Sequence, residues 1–449
     1  MQARADLLTA PLRILLVGLL ASSCAARQPA TAPHAPSSAK PDQTRSGDVS
    51  NEPIAPPPSG PPAAAEASSG WISAAGTSVP PALFARESGA LNAFKFSSVD
   101  GRYSGRALAA ASPRVDLAKE GGVPQLRIPI GANQPITCAL HDGQIHPGVR
   151  LEKMVQNLSK KLTGVTAVPV SVVAAAGAPL IFIDVLYAAE KEGKKSTGEL
   201  KVAFLTRASA SLICTHDGVG YRRTFEEAVQ AVAESVRDSQ AHAAGETRFA
   251  ELNVLRAAQQ LLGYSLRTVM APRPDGAHDE YVSSFSFDRI DGPQLATRDL
   301  VATEQRNASG QLRHAKYSLS RNGAWSSLSV EEEPDGSYSV RGTADDRPLS
   351  GTLRPNDWLT RPSGAALLEV ASGAHEQLAF DAYSPYTPLE LQPTRVKRAS
   401  SPNRVVASDG SGSEETWTLD ESGAIVRAVT RTPDFPDQST ERIWSQGTP

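Results

Sequence analysis

The sequence predicts an α+β protein: a helix-covered antiparallel sheet domain followed by a mostly antiparallel β domain, built as a curved sheet or half-barrel. Two observations carry this. From Pro124 to about Ser239 the pattern runs strand, strand, helix, four strands, helix, the order of a sheet with helices on it. After Gly245 the texture changes to short strands that alternate apolar and polar residues, separated by Asp275-Gly276, Asp291-Gly292, Asn322-Gly323, Asp335-Gly336 and Asp409-Gly410, which are hairpin turn signals.

The elements follow in order. Strands are expected over 125–130 and 136–140, with Asp142-Gly143 turning the chain. Pro147 opens a helix whose Leu151, Met154, Val155, Leu158 and Leu162 share one face until Thr163-Gly164 ends it. Strands at 165–173, 180–187, 198–205 and 211–215 are rich in β-branched residues. A second helix starts at Thr224 with Glu227 as its capping box and carries Phe225, Val229, Val232 and Val236 inward. Residues 249–270 read as a hairpin, and Ala365 to Val370 as a short helix crossing the later sheet. One-sided strands with so little helix to cover them predict a sheet that curls on itself. Its concave face is expected to be lined by Phe285, Phe287, Leu328, Val330, Tyr338, Val340, Leu378 and Phe380, the residues that would meet an apolar ligand.

The N-terminus is organised for export. Arg4 and Arg13 precede an apolar run from Ile14 to Ala21, too short to span a bilayer but right for a signal peptide. The stretch Leu20-Ala21-Ser22-Ser23-Cys24 resembles the lipobox of bacterial lipoproteins, with Ala21 where Leu is commonest. The resemblance implies cleavage before Cys24, acylation of Cys24, and, with Ala25 next, sorting to the outer membrane facing the periplasm. Three acyl chains make an essentially permanent anchor. The expected divisions are a signal peptide at 1–23, a tether at 24–70, a partly docked arm at 71–123, the α+β domain at 124–245 and the β domain at 246–449. The segment 25–70 holds ten Pro and eleven Ala with almost no large apolar side chain, a composition that cannot form a core.

Composition removes several classes. The net charge is −3 and the basic runs near Lys194 and Arg395 are short, so no nucleic acid is expected as a partner. The hydrolase elbow Gly-x-Ser-x-Gly is missing, His375-Glu376 is followed by Ala379 where a zinc protease needs its second His, and Ala188 stands where a phosphate loop needs its first Gly. No catalytic residue, cofactor or metal is assigned. Of the three Cys, acylation of Cys24 leaves Cys138 and Cys214, which an oxidising compartment would pair as a disulfide. A zinc site from Cys138, His141, Cys214 and His216 is the second reading; strand alternation sends Cys138 and His141 to opposite faces and disfavours it.

Two resemblances concern outline alone. The element order over about 124–240 is similar to the PsbP-like fold, and the one-sided later sheet resembles the lipid-cradling half-barrel of the LolA-like lipoprotein carriers. Together these readings predict a non-catalytic outer-membrane lipoprotein that binds a lipid or other apolar ligand, or an envelope protein. The alternatives are a protein-interaction scaffold that grips its partner by a sheet edge and a hydrolase whose residues meet only in three dimensions.

Overall fold

The computed structural model describes residues 81–116, 123–132, 134–191, 194–207, 210–240, 245–289, 295–356, 359, 361–409, 413–431 and 437–447. The signal peptide, Cys24, the tether and the first ten residues of the arm lie outside them. The expected α+β class is not what the chain adopts. Among the described residues most lie in large antiparallel sheets, and the longest of four short helices has 14 residues. The predicted strands and helices lie close to where the pattern puts them, but apart from Gln125–Ile128 the strands of the first sheet are longer. Thr163–Ala175, Ala178–Lys191 and Lys194–Leu205 run for 13, 14 and 12 residues, and no helical layer covers their sheet.

That sheet has seven strands in the order Arg114–Asp116, Gln125–Ile128, Ile136–Asp142, Ala210–Asp217, Lys194–Leu205, Ala178–Lys191 and Thr163–Ala175. Its central strands are buried on both faces, so Leu180, Ile181, Phe182 and Ile183 are apolar in succession rather than alternating. Leu180, Phe182, Leu205 and Leu212 pack with Phe225, Val229 and Val232 of the helix Arg222–Ser235 and with Phe96 and Tyr103. The last two belong to a three-stranded sheet of Asn92–Ser97, Tyr103–Ala109 and Arg237–Asp238, so the described part of the arm is woven into the core. On the other face, Ile181, Ile183, Val185 and Phe204 pack with Leu252, Tyr264, Phe285 and Phe287 of the later sheet.

Cys138 and Cys214 are direct partners on neighbouring strands and form a disulfide. The two sulfurs are bonded to each other rather than to a metal, and the described residues hold no cluster of three or more His, Cys, Asp or Glu suited to a metal.

Remote acids cap both longer helices. Arg222–Ser235 starts two residues before the expected Thr224, after Tyr221 in the left-handed region at φ 60°. Its first N–H groups are taken by Glu87, which accepts from Arg223 N at 3.0 Å, Thr224 N at 2.9 Å and Thr224 Oγ1 at 2.5 Å. The expected capping partner Glu227 instead pairs with Arg223. For Pro147–Ser159 the cap is Asp299 of the later sheet, accepting from Gly148 N and Val149 N at 3.1 Å each. A carboxylate at a helix N-terminus complements the macrodipole, and here it also docks the helix.

The later sheet has fourteen strands and is antiparallel throughout. One meander runs from Thr247–Ala257 to Arg347–Leu353 and a second from Gln377–Tyr383 to Gln438–Gly447; Thr247–Ala257 pairs with Gln438–Gly447 to join them. The expected hairpin at 249–270 is present as Thr247–Ala257 and Gln260–Met270. Asn322-Gly323 makes a two-residue turn with both φ positive, at 52° and 81°. The sheet curls: Tyr383 and Leu391 from one end pack on the cluster of Leu300, Tyr317, Leu328 and Val340 toward the other, and the Tyr317 and Tyr383 rings lie 5.5 Å apart. The helix Gly364–Ser372, the crossing helix read from sequence, fills part of the hollow with Leu367 and Val370 against Val396, Val405 and Trp417.

Candidate functional site

Between this helix and the central strands of the curl lies a cavity of about 600 Å³. Its apolar wall is Phe249, Leu367, Trp417 and Ile425, and its charged wall is Glu251, Arg267, His278, Glu280, Arg306 and Arg361. Strand alternation explains the charged wall. On His278–Arg289 and Ala296–Arg306 the residues facing the hollow include His278, Glu280, Glu304 and Arg306, and register sets Glu280 directly opposite Glu304. Like charges in that position repel. Arginines reconcile them.

Glu280 accepts from Arg267 Nη2 at 2.8 Å and Arg361 Nη1 at 2.7 Å, with Arg306 Nε at 3.7 Å and His278 Nε2 at 3.5 Å. Glu304 accepts from both Nε and Nη2 of Arg306, from Arg361 Nη2 at 3.3 Å and from the Tyr317 hydroxyl at 2.9 Å. Glu251 pairs with Arg267 at 3.6 Å and Arg442 at 3.8 Å, and Arg442 reaches on to Asp420 at 2.5 Å.

The protonation states follow. Burial alone would raise the Glu280 carboxyl, but Arg267 and Arg361, with His278 and Arg306, hold it well below the usual carboxylate range. Glu251, with more distant partners, is pushed up by burial despite Arg267 and Arg442. Burial, followed by the nearby Glu304 charge, raises Tyr317 well above its ordinary value and keeps it a donor. Glu415, farther along the same concave face, is pushed up to about 7 by burial even though Trp417 Nε1 and Thr430 Oγ1 donate to it.

The rim is held by two glycines. A Cβ on Gly364 would sit 2.4 Å from the Ser422 carbonyl, and one on Gly423, at φ +80°, would sit 2.1 Å from the Gly364 carbonyl. The first turn of the helix therefore rests on the turn Asp420–Ala424, with Ser363 capping it by accepting from Ala366 N.

The eight residues expected on one apolar concave face do not come together. Phe285 and Phe287 leave the sheet on its convex side, toward the seven-stranded sheet, and pack edge to face at 5.4 Å. Leu328, Val330, Tyr338 and Val340 are buried in one end of the hollow. Leu378 and Phe380, half-buried, pack at the other end beside the helix. None of the eight lines the cavity. The residues that do were missed because single charges at every second position read as a solvent face. The signal available was register, since two glutamates opposed in a hairpin require cations between them.

No protein-family model matches the chain, and neither does any curated protein. Among solved structures, it is similar to a beta-barrel-like protein of domain of unknown function DUF1849 from Brucella abortus, with 12% identity, 46% of this chain and 100% of that one covered, and a TM-score of 0.32. It is also similar to a DUF1089 family protein from Pseudomonas aeruginosa, with 15% identity, 38% and 89% covered, and a TM-score of 0.23. At TM-scores below 0.5 neither likeness defines this fold. The described chain is thus a β-rich, disulfide-bonded protein whose curled sheet encloses a lined cavity.

Proposed function

We propose that the chain is a non-catalytic lipoprotein of the outer membrane, anchored through acylated Cys24 and facing the periplasm, whose curled sheet takes one ligand in the cavity beneath Gly364–Ser372. The observation that carries the binding role is the cavity itself, where an apolar wall of Phe249, Leu367, Trp417 and Ile425 meets a charged one. Concave sites of this size that combine an apolar wall with convergent polar groups are the usual form of ligand pockets. The anchor rests on the lipobox, and the Pro/Ala/Ser tether would let the folded part stand off the membrane.

Two measurements test this. Cys24→Ala should release the protein from membranes into the soluble periplasmic fraction; unchanged partitioning into detergent refutes the anchor. A fluorescent fatty acid should saturate the delipidated protein at one per chain, and Ile425→Asp, at the cavity wall, should weaken it. Phe285→Asp on the convex face should act through folding alone. Absence of saturable binding in well-folded protein refutes the ligand role. It would favour an envelope-protein partner, for which the end strands Arg347–Leu353 and Gln377–Tyr383, each hydrogen-bonded on one side in the sheet order, provide edges.

A further inference from the structure

We propose that the cavity takes the hydrocarbon end of its ligand and leaves the ligand's head in water at the mouth, so that it holds single-chain amphiphiles whatever the charge of the head. This rests on the cavity being the ligand site and goes further by naming the ligand's chemical class and its orientation.

The charged wall is satisfied by its own pairs. Arg306 gives Nε and Nη2 to Glu304 and Nη1 to the Gly310 carbonyl. Arg267 gives Nε and Nη2 to Glu280 and turns Nη1 to Glu251. Arg361 bridges Glu280 and Glu304, and Arg442 bridges Glu251 and Asp420. Four guanidiniums thus face four carboxylates, and every terminal nitrogen of these four arginines already has an acceptor beside it. A charged head placed among them would have to break a buried pair and leave one partner uncompensated, which is strongly unfavourable for a head of either sign. The end of a hydrocarbon chain needs no partner and leaves the pairs as they are.

Exposure gives the cavity a direction. Its floor is formed by the buried Phe249, Glu251, Glu280, Arg306, Leu367 and Trp417. The exposed lining residues, at the mouth, are Ala308, Ser309, Ser363, Ala365 and Ser422, and none of these carries a charge. Their hydroxyls are engaged locally: Ser309 donates to Asn307, Ser422 donates to Asp420, and Ser363 accepts from Ala366 N. A head at this mouth keeps its water, and the mouth does not select its sign. Affinity then comes from the chain lying on Phe249, Leu367, Trp417 and Ile425.

The test is calorimetric titration of the full, delipidated protein below micelle-forming concentrations, at pH 8 because burial pushes Glu251 up. The probes are dodecanol, dodecanoate, dodecyl phosphate, dodecyltrimethylammonium and decanoate. The four dodecyl compounds are expected to bind at one per chain with dissociation constants within about fivefold of one another, the range of an exposed charge interaction. Decanoate, two methylenes shorter, should bind about fifteenfold more weakly than dodecanoate. Ala365→Lys, which sets a cation at the mouth, should shift the ratio of dodecanoate to dodecyltrimethylammonium affinity toward the carboxylate by about two- to tenfold. Should that variant not fold, Ser422→Lys makes the same measurement. A larger preference of the unaltered protein for one head, decanoate binding as tightly as dodecanoate, or a ratio that the new lysine leaves in place each overturns the inference while the cavity remains a ligand site. If no alkyl probe binds, the ligand reading fails and takes the inference with it.

Discussion

Along the single strand His278–Arg289, Phe285 and Phe287 emerge on one side and Glu280 and His278 on the other, and the two sides meet different surroundings. The convex side is pressed against the seven-stranded sheet, where Ile181, Ile183 and Phe204 interdigitate with Leu252, Tyr264 and the two phenylalanines in an apolar core. The concave side holds two apolar clusters, one around Tyr317 and Val340 and one around Trp417 and Val396, with the arginine and glutamate network between them. The convex contact gives the protein cohesion. The concave one leaves space, a cavity walled in part by the ion-paired arginines and glutamates.

The largest expected effect separates the two sides directly. Phe285→Ala, on the fully buried convex side, should cost about 3–5 kcal/mol, whereas Phe380→Ala, half-buried on the concave side, should cost about 1 kcal/mol. Urea midpoints at constant m-value measure both; similar costs would mean that the two sides are packed alike.

Much of this contrast was legible in the sequence and its decisive part was not. Period-2 alternation located the strands of the later sheet and gave each an apolar side, whereas the run Leu180 to Ile183, read only as part of a β-branched strand, is buried on both faces. Alternation does not say which side curls inward. It therefore placed Phe285 and Phe287 with Leu328 and Val340, when the seven-stranded sheet had claimed the former pair. The helix-covered class failed because the two expected helices are short, and the sheet is covered also by arm strands such as Tyr103–Ala109 on one face and by the fourteen-stranded sheet on the other. The caps of both longer helices come from Glu87 and Asp299, 136 and 150 or more residues away in sequence, beyond any local pattern. Opposed Glu280 and Glu304 become visible only once register is known.

A second prediction probes how far the convex core couples the sheets. The Cys138–Cys214 bridge closes a separation of 76 residues, so removing it by the double Ala variant should destabilise by about 4 kcal/mol in the chain-entropy model. The loss should appear in one cooperative transition reported alike by far-UV signal and by tryptophan fluorescence, to which Trp325, Trp417 and Trp444 of the later sheet contribute. A C-terminal transition that stays put while the rest shifts would show that the sheets unfold separately.

The smallest effect is pH dependence, to whose alkaline limb both sides contribute, since burial also pushes Asp299, the helix cap on the convex side, up to about 7 although Gly148 N and Val149 N donate to it. On the convex side, burial, assisted by Arg150, lowers His146 to about 4. Its neutral form favours folding at neutral pH, and that contribution is lost as pH falls from about 6.5 to 4. On the concave side Glu415 has a folded value of about 7, above its unfolded one. Its contribution is complete below about pH 4 and is lost as pH rises through 7, on the order of 3 kcal/mol. Glu415→Gln should therefore make the alkaline limb of a stability-against-pH curve shallower, leaving the share due to Asp299, and keep the acid limb in place; an unchanged alkaline limb would contradict the assignment.

The central claim is that a ligand enters the concave cavity and leaves the convex core untouched. The direct measurement is photolabelling with a dodecyl phosphate analogue carrying a diazirine on its chain, followed by digestion and mass mapping of the adducts. The account predicts labels at Phe249, Leu367, Trp417 or Ile425, suppressed by excess dodecyl phosphate. Labels at Tyr264, Phe285 or Phe287, or labels scattered over the surface and insensitive to competitor, would contradict it.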